Sequence, residues 1–250
     1  MPMLRIKTKL CRLLKHTGYH DLALRFFLLA GGMVVLANAQ APPNDLLPIS
    51  RGRLCLTEGE ISETAGDVLS VNVPKMRAYV NGWTIPEAEA RFTYLGPTDK
   101  EAPLGSGEMR RQFGLKLFAQ DACNLVYVMW RIEPESKLAV SVKSNPGQHT
   151  SAECSNHGYR NVKPRRSSAV PAMKIGSMHT LHAILAAEEL RVFVDSALVW
   201  EGSVGQEAVH MQGPVGIRSD NVQLTFTLRT DELRHNIPAA LPACRKDAGE

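Results

Sequence analysis

Between His179 and Leu228 the sequence is written in a period of two, and that pattern constrains the fold more than any other feature. Leu181, Ala183 and Leu185 fall on one side of a first strand, and Leu190, Val192 and Val194 on one side of a second. In a third, Val222, Leu224, Phe226 and Leu228 alternate with Asn221, Gln223, Thr225 and Thr227. Successive side chains of a strand point to opposite faces, so each segment has one buried and one wetter face.

The same writing continues upstream. Leu69, Val71 and Val73 alternate with Ser70 and Asn72; Ala88, Ala90, Phe92 and Tyr94 alternate with Glu87, Glu89, Arg91 and Thr93 until Leu95-Gly96-Pro97 stops the run. Phe113, Leu115 and Leu117 begin a further strand. The next, Asn124 to Arg131, is apolar on both sides in its middle, which predicts an interior position in its sheet. Leu138, Val140 and Val142 follow a Glu133-Pro134-Glu135 turn. From Ser144 to Ser168 the composition shifts to Asn, Gly, His, Ser and Arg, which reads as a long loop pinned by Cys154. No helical stretch appears after residue 39. Many short strands with few helices predict an all-β fold, an antiparallel two-sheet β-sandwich or jelly roll.

The N-terminus is different in kind. Arg5, Lys7, Lys9, Arg12, Lys15 and Arg25 precede an apolar run from Phe26 to Leu36, which ends in Ala37-Asn38-Ala39. A basic region, an apolar region and a small-residue cleavage site are the parts of a secretory signal peptide over residues 1–39. The run is short for a membrane span and contains Gly31-Gly32, so no stable span is expected after cleavage. Residues 40–53 read as a proline-bearing extended lead-in, 54–244 as one sandwich domain and 245–250 as a tail.

Removing the leader removes the basicity. The whole chain carries 29 basic and 25 acidic residues; without the six basic and one acidic residue of 1–39 the balance is 23 against 24. Net charge thus gives no support for nucleic acid or for a general polyanion-binding face. Cys55, Cys123, Cys154 and Cys244 remain, an even number in a chain expected to be exported to the periplasm or outside the cell. Three pairings are open; Cys123–Cys154 and Cys55–Cys244 are the expected ones, tying a loop to its strand and the two ends of the domain. Cys154 and His157 lack the paired spacing of a zinc site, and no metal ligand set is expected from them.

The order of strand, turn, Leu190–Asp195 strand, second turn into Leu198–Gly202, and then Gly213–Phe226 resembles the closing strands of concanavalin A-like lectin/glucanase sandwiches, laminin-G-like modules included. Such relatives often carry Asp-Gly or Asn-Gly at the hairpins, where this chain has Ala187-Glu188-Glu189 and Asp195-Ser196. Without glycine those turns are expected to be longer or bulged.

The resemblance implies a glycan ligand and a choice between binding and catalysis. Glucanases of this type carry E-x-D-x-x-E on one strand, which sets two carboxylates in one cleft. That motif is missing; Glu133 and Glu135 are its nearest echo, with Pro134 between them marking a turn. Lectin-like relatives also bind calcium through loop carboxylates, for which Asp99 and Glu101 are the candidates, although no cofactor is required. Histidines 179 and 182 fall on opposite faces of a strand and make poor co-ligands.

Sugar binding needs an aromatic face and a few polar groups. If Val126, Val128 and Trp130 face the core, Tyr127 and Arg131 point to the other surface, with Trp83 at the rim beside Asn81-Gly82; these three are the candidate ligand-binding residues. The Lys163, Arg165 and Arg166 cluster reads as a solvated loop. The expected function is a non-catalytic secreted or periplasmic module that binds polysaccharide or another glycan. A divergent glycan hydrolase or lyase on the same fold, and a structural or protein-interaction module, are the alternatives.

Overall fold

The structure, a computed structural model, describes residues 46–231 and Cys244. The expected leader, the first residues of the lead-in and the 245–250 tail lie outside the described residues.

Sixteen strands lie among the described residues. They begin with β1 (Leu47–Pro48), β2 (Leu54–Glu58), β3 (Ser62–Ala65), β4 (Val68–Val71), β5 (Lys75–Val80) and β6 (Glu87–Pro97). Next come β7 (Arg111–Leu117), β8 (Leu125–Glu133), β9 (Lys137–Lys143), β10 (Tyr159–Asn161) and β11 (Arg166–Ser167). The last five are β12 (Met178–Ala186), β13 (Glu189–Val194), β14 (Ala197–Ser203), β15 (Gly216–Asp220) and β16 (Val222–Thr230). A nine-stranded sheet runs β11-β14-β13-β12-β6-β16-β4-β3 with β1 also on β16, and a seven-stranded sheet runs β10-β9-β8-β7-β15-β5-β2. Every pairing is antiparallel. Where it is described, the lead-in is tied to the sheet: β1 pairs with β16, and Leu46 and Ile49 are buried.

The two inner faces are the ones the alternation marks. Ala88, Ala90, Phe92 and Tyr94 of β6, Leu181, Ala183 and Leu185 of β12, and Val222, Leu224, Phe226 and Leu228 of β16 are buried in a single apolar core. Val126, Val128 and Trp130 of β8, an interior strand, meet them from the other sheet. Phe92 joins the layers: its ring lies 4.7 Å from that of Phe113 and stands edge-on to Trp130 at 5.8 Å. Such aromatic pairs add about 0.5–1.5 kcal/mol each beyond the area they bury.

The hairpins differ from expectation. Ala186 pairs with Glu189 and Val194 with Ala197, so both turns close in two residues without glycine. The strain expected there is carried as positive φ, at Ala187 (50°), Asp195 (49°) and Ser196 (68°). Asp195 offsets its share, because its carboxylate accepts the Thr180 amide at 2.8 Å and sits 2.7 Å from His179 Nδ1. The expected bulge is displaced into the strands, between Val192 and Phe193.

Cys123–Cys154 and Cys55–Cys244 are both disulfides. The region 144–168 is more ordered than a loop. A four-residue helix α1 (Ser151–Cys154) opens on a Thr150/Glu153 capping box, and β10 and β11 carry the chain from one sheet edge to the other. No helix among the described residues is long and apolar enough to cross a membrane.

A charged and aromatic recess on the seven-stranded sheet

Alternation in the seven-stranded sheet sends Met76 and Ala78, Val126 and Val128, and Ile217 inward. It thereby sends Lys75, Arg77 and Tyr79 of β5, Tyr127 of β8, Lys143 of β9, and Arg218 and Asp220 of β15 to the outer face. On that face lies a recess of about 340 Å³ lined by Glu58, Lys75, Arg77, Lys143, Tyr159 and Arg218 from the strands. Leu104 and Gly105 come from the β6–β7 loop and Ser151, Ser155 and Asn156 from α1 and the turn after it. The two loops meet: the Gly105 backbone lies against the Asn156 side chain, whose amide a Cβ there would approach to 2.6 Å.

The wall around α1 is fixed from below. Cys123–Cys154 ties it to the start of β8. Asp121 accepts the Cys123 amide at 2.8 Å and Asn124 Nδ2 at 2.9 Å, and lies 2.8 Å from His149 Nδ1. Asn124 in turn donates to the Gln148 carbonyl and accepts the Asn145 amide. Lys143 Nζ donates to the Ala122 carbonyl at 2.9 Å and stands 5.1 Å above the Tyr159 ring. Rigid walls of this kind keep a site shaped before a ligand arrives.

The floor is an ion network. Asp220, fully buried, accepts Arg77 Nη2 at 2.6 Å, Arg218 Nε at 2.9 Å and Gln112 Nε2 at 2.7 Å. Burial works to raise its pKa; the guanidinium groups of Arg218 and Arg77 and the Gln112 amide more than offset this and hold it below the usual carboxylate value. Asp220 is therefore ionised and structural, not a proton donor.

The three residues expected to bind ligand do not form one site. Tyr127 is on the expected face but is only 1% exposed, its ring stacked under Tyr159 at 6.1 Å with the Arg218 guanidinium 5.0 Å away. Tyr159, 41% exposed, is the outer ring of the pair, and Tyr127 backs it. Arg131 lines a different cavity of about 330 Å³ at the sandwich edge, with Trp200, Leu138 and Val162. Burial there, with Arg110 nearby, pushes its pKa below the ordinary guanidinium value. Trp83 is exposed in the β5–β6 connection and lines neither cavity. Lys75, Arg77, Lys143, Tyr159 and Arg218 were not singled out by the sequence, where each of the four cations looks like the wet face of its own strand.

The carboxylates of the hydrolase alternative are engaged elsewhere. Glu133 accepts from Arg111, and Glu135 pairs with Lys137, which lowers its pKa first by a hydrogen bond and then by charge. Every carboxylate with a shifted pKa among the described residues shifts down, the reverse of a poised general acid. Glu101, a calcium candidate, is held by Arg111 at 2.6 Å, and Asp99 accepts from Asn72. No group of three potential metal ligands occurs among the described residues. In the basic loop, Arg165 is paired with Glu189 at 2.9 Å and Glu201 at 3.4 Å.

No protein-family model matches the chain, and no curated protein matches it. Among solved structures it is similar to a carbohydrate-binding module, CBM66 from Bacillus subtilis, at 10% identity and TM-score 0.47, over 70% of this chain and 91% of that one. It is also similar to the Crh5 transglycosylase in complex with NAG (12%, 0.43, 79% and 91%) and to CG-16, a homodimeric agglutinin from chicken liver (10%, 0.39, 64% and 98%). With all three scores below 0.5, these likenesses say nothing of what this chain binds.

Proposed function

We propose that the protein is an exported, non-catalytic glycan-binding module whose ligand docks in the recess on the seven-stranded sheet. The observation that carries this reading is Tyr159: an exposed ring, backed by Tyr127, at a recess lined mostly by hydrogen-bonding side chains. An aromatic face stacks on the apolar side of a pyranose while polar neighbours fix its hydroxyls. Two disulfides suit an oxidising compartment, as the expected leader does.

A pull-down on insoluble polysaccharides beside a glycan array, using the oxidised full chain, tests the reading. Tyr159→Ala is expected to weaken binding by about tenfold, the worth of one stacked ring, and Trp83→Ala to leave it unchanged. Folded protein that binds nothing, or binding indifferent to Tyr159→Ala, would overturn it. Release of new sugar ends during the incubation would move the reading to the enzyme.

A further inference from the structure

Away from the recess, the edge cavity of about 330 Å³ lies between β9 of one sheet and β14 of the other. β10 covers β9 only over residues 141–143, so residues 137–140 have β8 on one side and this cavity on the other. The chain over 162–171 straps the opening and is tied at three points. The Val162 amide donates to the Val140 carbonyl at 2.9 Å, the Ser168 amide to the Val199 carbonyl at 3.0 Å, and Ser136 Oγ to the Pro171 carbonyl at 3.0 Å. Between these ties the lining is largely apolar: Leu138, Val140, Val162, Val170, Val199 and Trp200 belong to the core or pack against it. Arg131 and Lys137, register partners on neighbouring strands, bring charge to it.

The two cations are not equivalent. Lys137 is paired with Glu135. The Arg131 side chain makes no hydrogen bond or ion pair with another described residue, and its Nε is buried without a partner. The acids whose charge reaches it, Glu108 and Glu135, are each engaged already, by Arg110 and Lys137. A cation partly withdrawn from water with no anion bonded to it costs free energy that an incoming carboxylate recovers. We propose that this cavity is a second binding site, for a small amphipathic carboxylic acid whose apolar body lies among the valines and Trp200 and whose carboxylate bonds to Arg131. The planar guanidinium matches a carboxylate, and hydrogen bonds between the two are charge-assisted. The volume suits a small ligand, and burial of its body supplies the hydrophobic share of the affinity. No residue lines both this cavity and the recess, so the inference stands apart from the glycan reading.

The test is calorimetric titration of the oxidised full chain at neutral pH with matched probes: octanoate against octanol, and phenylpropionate against phenylpropanol. Each acid is expected to bind at least about tenfold tighter than its alcohol. Arg131→Gln is expected to remove that advantage, to leave the affinity for the alcohol unchanged and not to lower the melting temperature. Ala169→Trp, at an exposed position of the lining, is expected to fill the cavity and abolish binding of both members, while Tyr159→Ala changes neither. Equal affinity for acid and alcohol would overturn the acid class. Acid binding that survives both Arg131→Gln and Ala169→Trp, or that is lost in Tyr159→Ala, would overturn the site by placing the acid elsewhere. Folded protein that binds neither acid at about 10 mM would overturn the proposal outright. Each of these failures leaves the glycan reading of the recess standing.

Discussion

Exchange of Asp220 for asparagine is expected to lower the unfolding free energy by about 3–5 kcal/mol, the usual cost of leaving buried charges without their partner. Asp220 is fully buried, and its two oxygens accept from Arg77, Arg218 and Gln112. Asparagine keeps the shape and removes the charge, so Arg77, itself buried, loses its 2.6 Å anion and keeps Glu58 at 3.9 Å. The pH dependence has a definite sign. The folded-state pKa of Asp220 lies below its ordinary value, so the unfolded chain binds the proton more readily. The contribution is complete above the ordinary carboxylate range and is lost as pH falls through the depressed folded-state pKa. Urea unfolding at neutral and acid pH measures both. A variant within about 1 kcal/mol of wild type would contradict this role, since that is the worth of a solvent-exposed ion pair.

Removal of the Cys55–Cys244 bridge by paired alanine substitutions is expected to cost up to about 5 kcal/mol in the chain-entropy estimate, because the bond closes a span of 189 residues. The Cys123–Cys154 bond closes 31, for which the same estimate gives about 4 kcal/mol. The two losses differ in kind. Cys55 lies opposite Tyr79 on β2, a strand that gives the recess only Glu58, whereas Cys154 ends the helix that walls the recess. Loss of the first bridge is therefore expected to lower the denaturation midpoint more and to leave glycan affinity intact in protein that is still folded. Loss of the second is expected to lower affinity. Equal denaturation midpoints with and without Cys55–Cys244 would contradict the first expectation.

The fold was legible because a strand with one wet face announces itself. The alternation of Phe92, Tyr94, Phe226 and Leu228 marks the core of the sandwich directly, and the four cysteines after residue 39 leave few pairings. The hairpins were harder. Glycine-free turns at Ala187 and Asp195 read as longer or bulged, but the side-chain bonds of Asp195 to Thr180 and His179 hold a left-handed residue in place. The site was least legible. Its cations come from three strands spread between residues 75 and 218, and each looks alone like the wet face of its own strand. Net charge averages them away, and Tyr159 sits in a stretch whose composition reads as loop. Tyr127 was placed on the correct face, but no sequence pattern tells that a second tyrosine covers it.

Amide hydrogen exchange of the full chain, with and without a glycan that it binds, tests most directly that the outer face of the seven-stranded sheet is the binding surface. Slowed exchange confined to Lys75–Arg77, Leu104–Gly105 and Ser151–Tyr159 is the expected result. Protection instead along the edge cavity of Arg131 and Trp200, or around Trp83, with the recess unchanged, would contradict it.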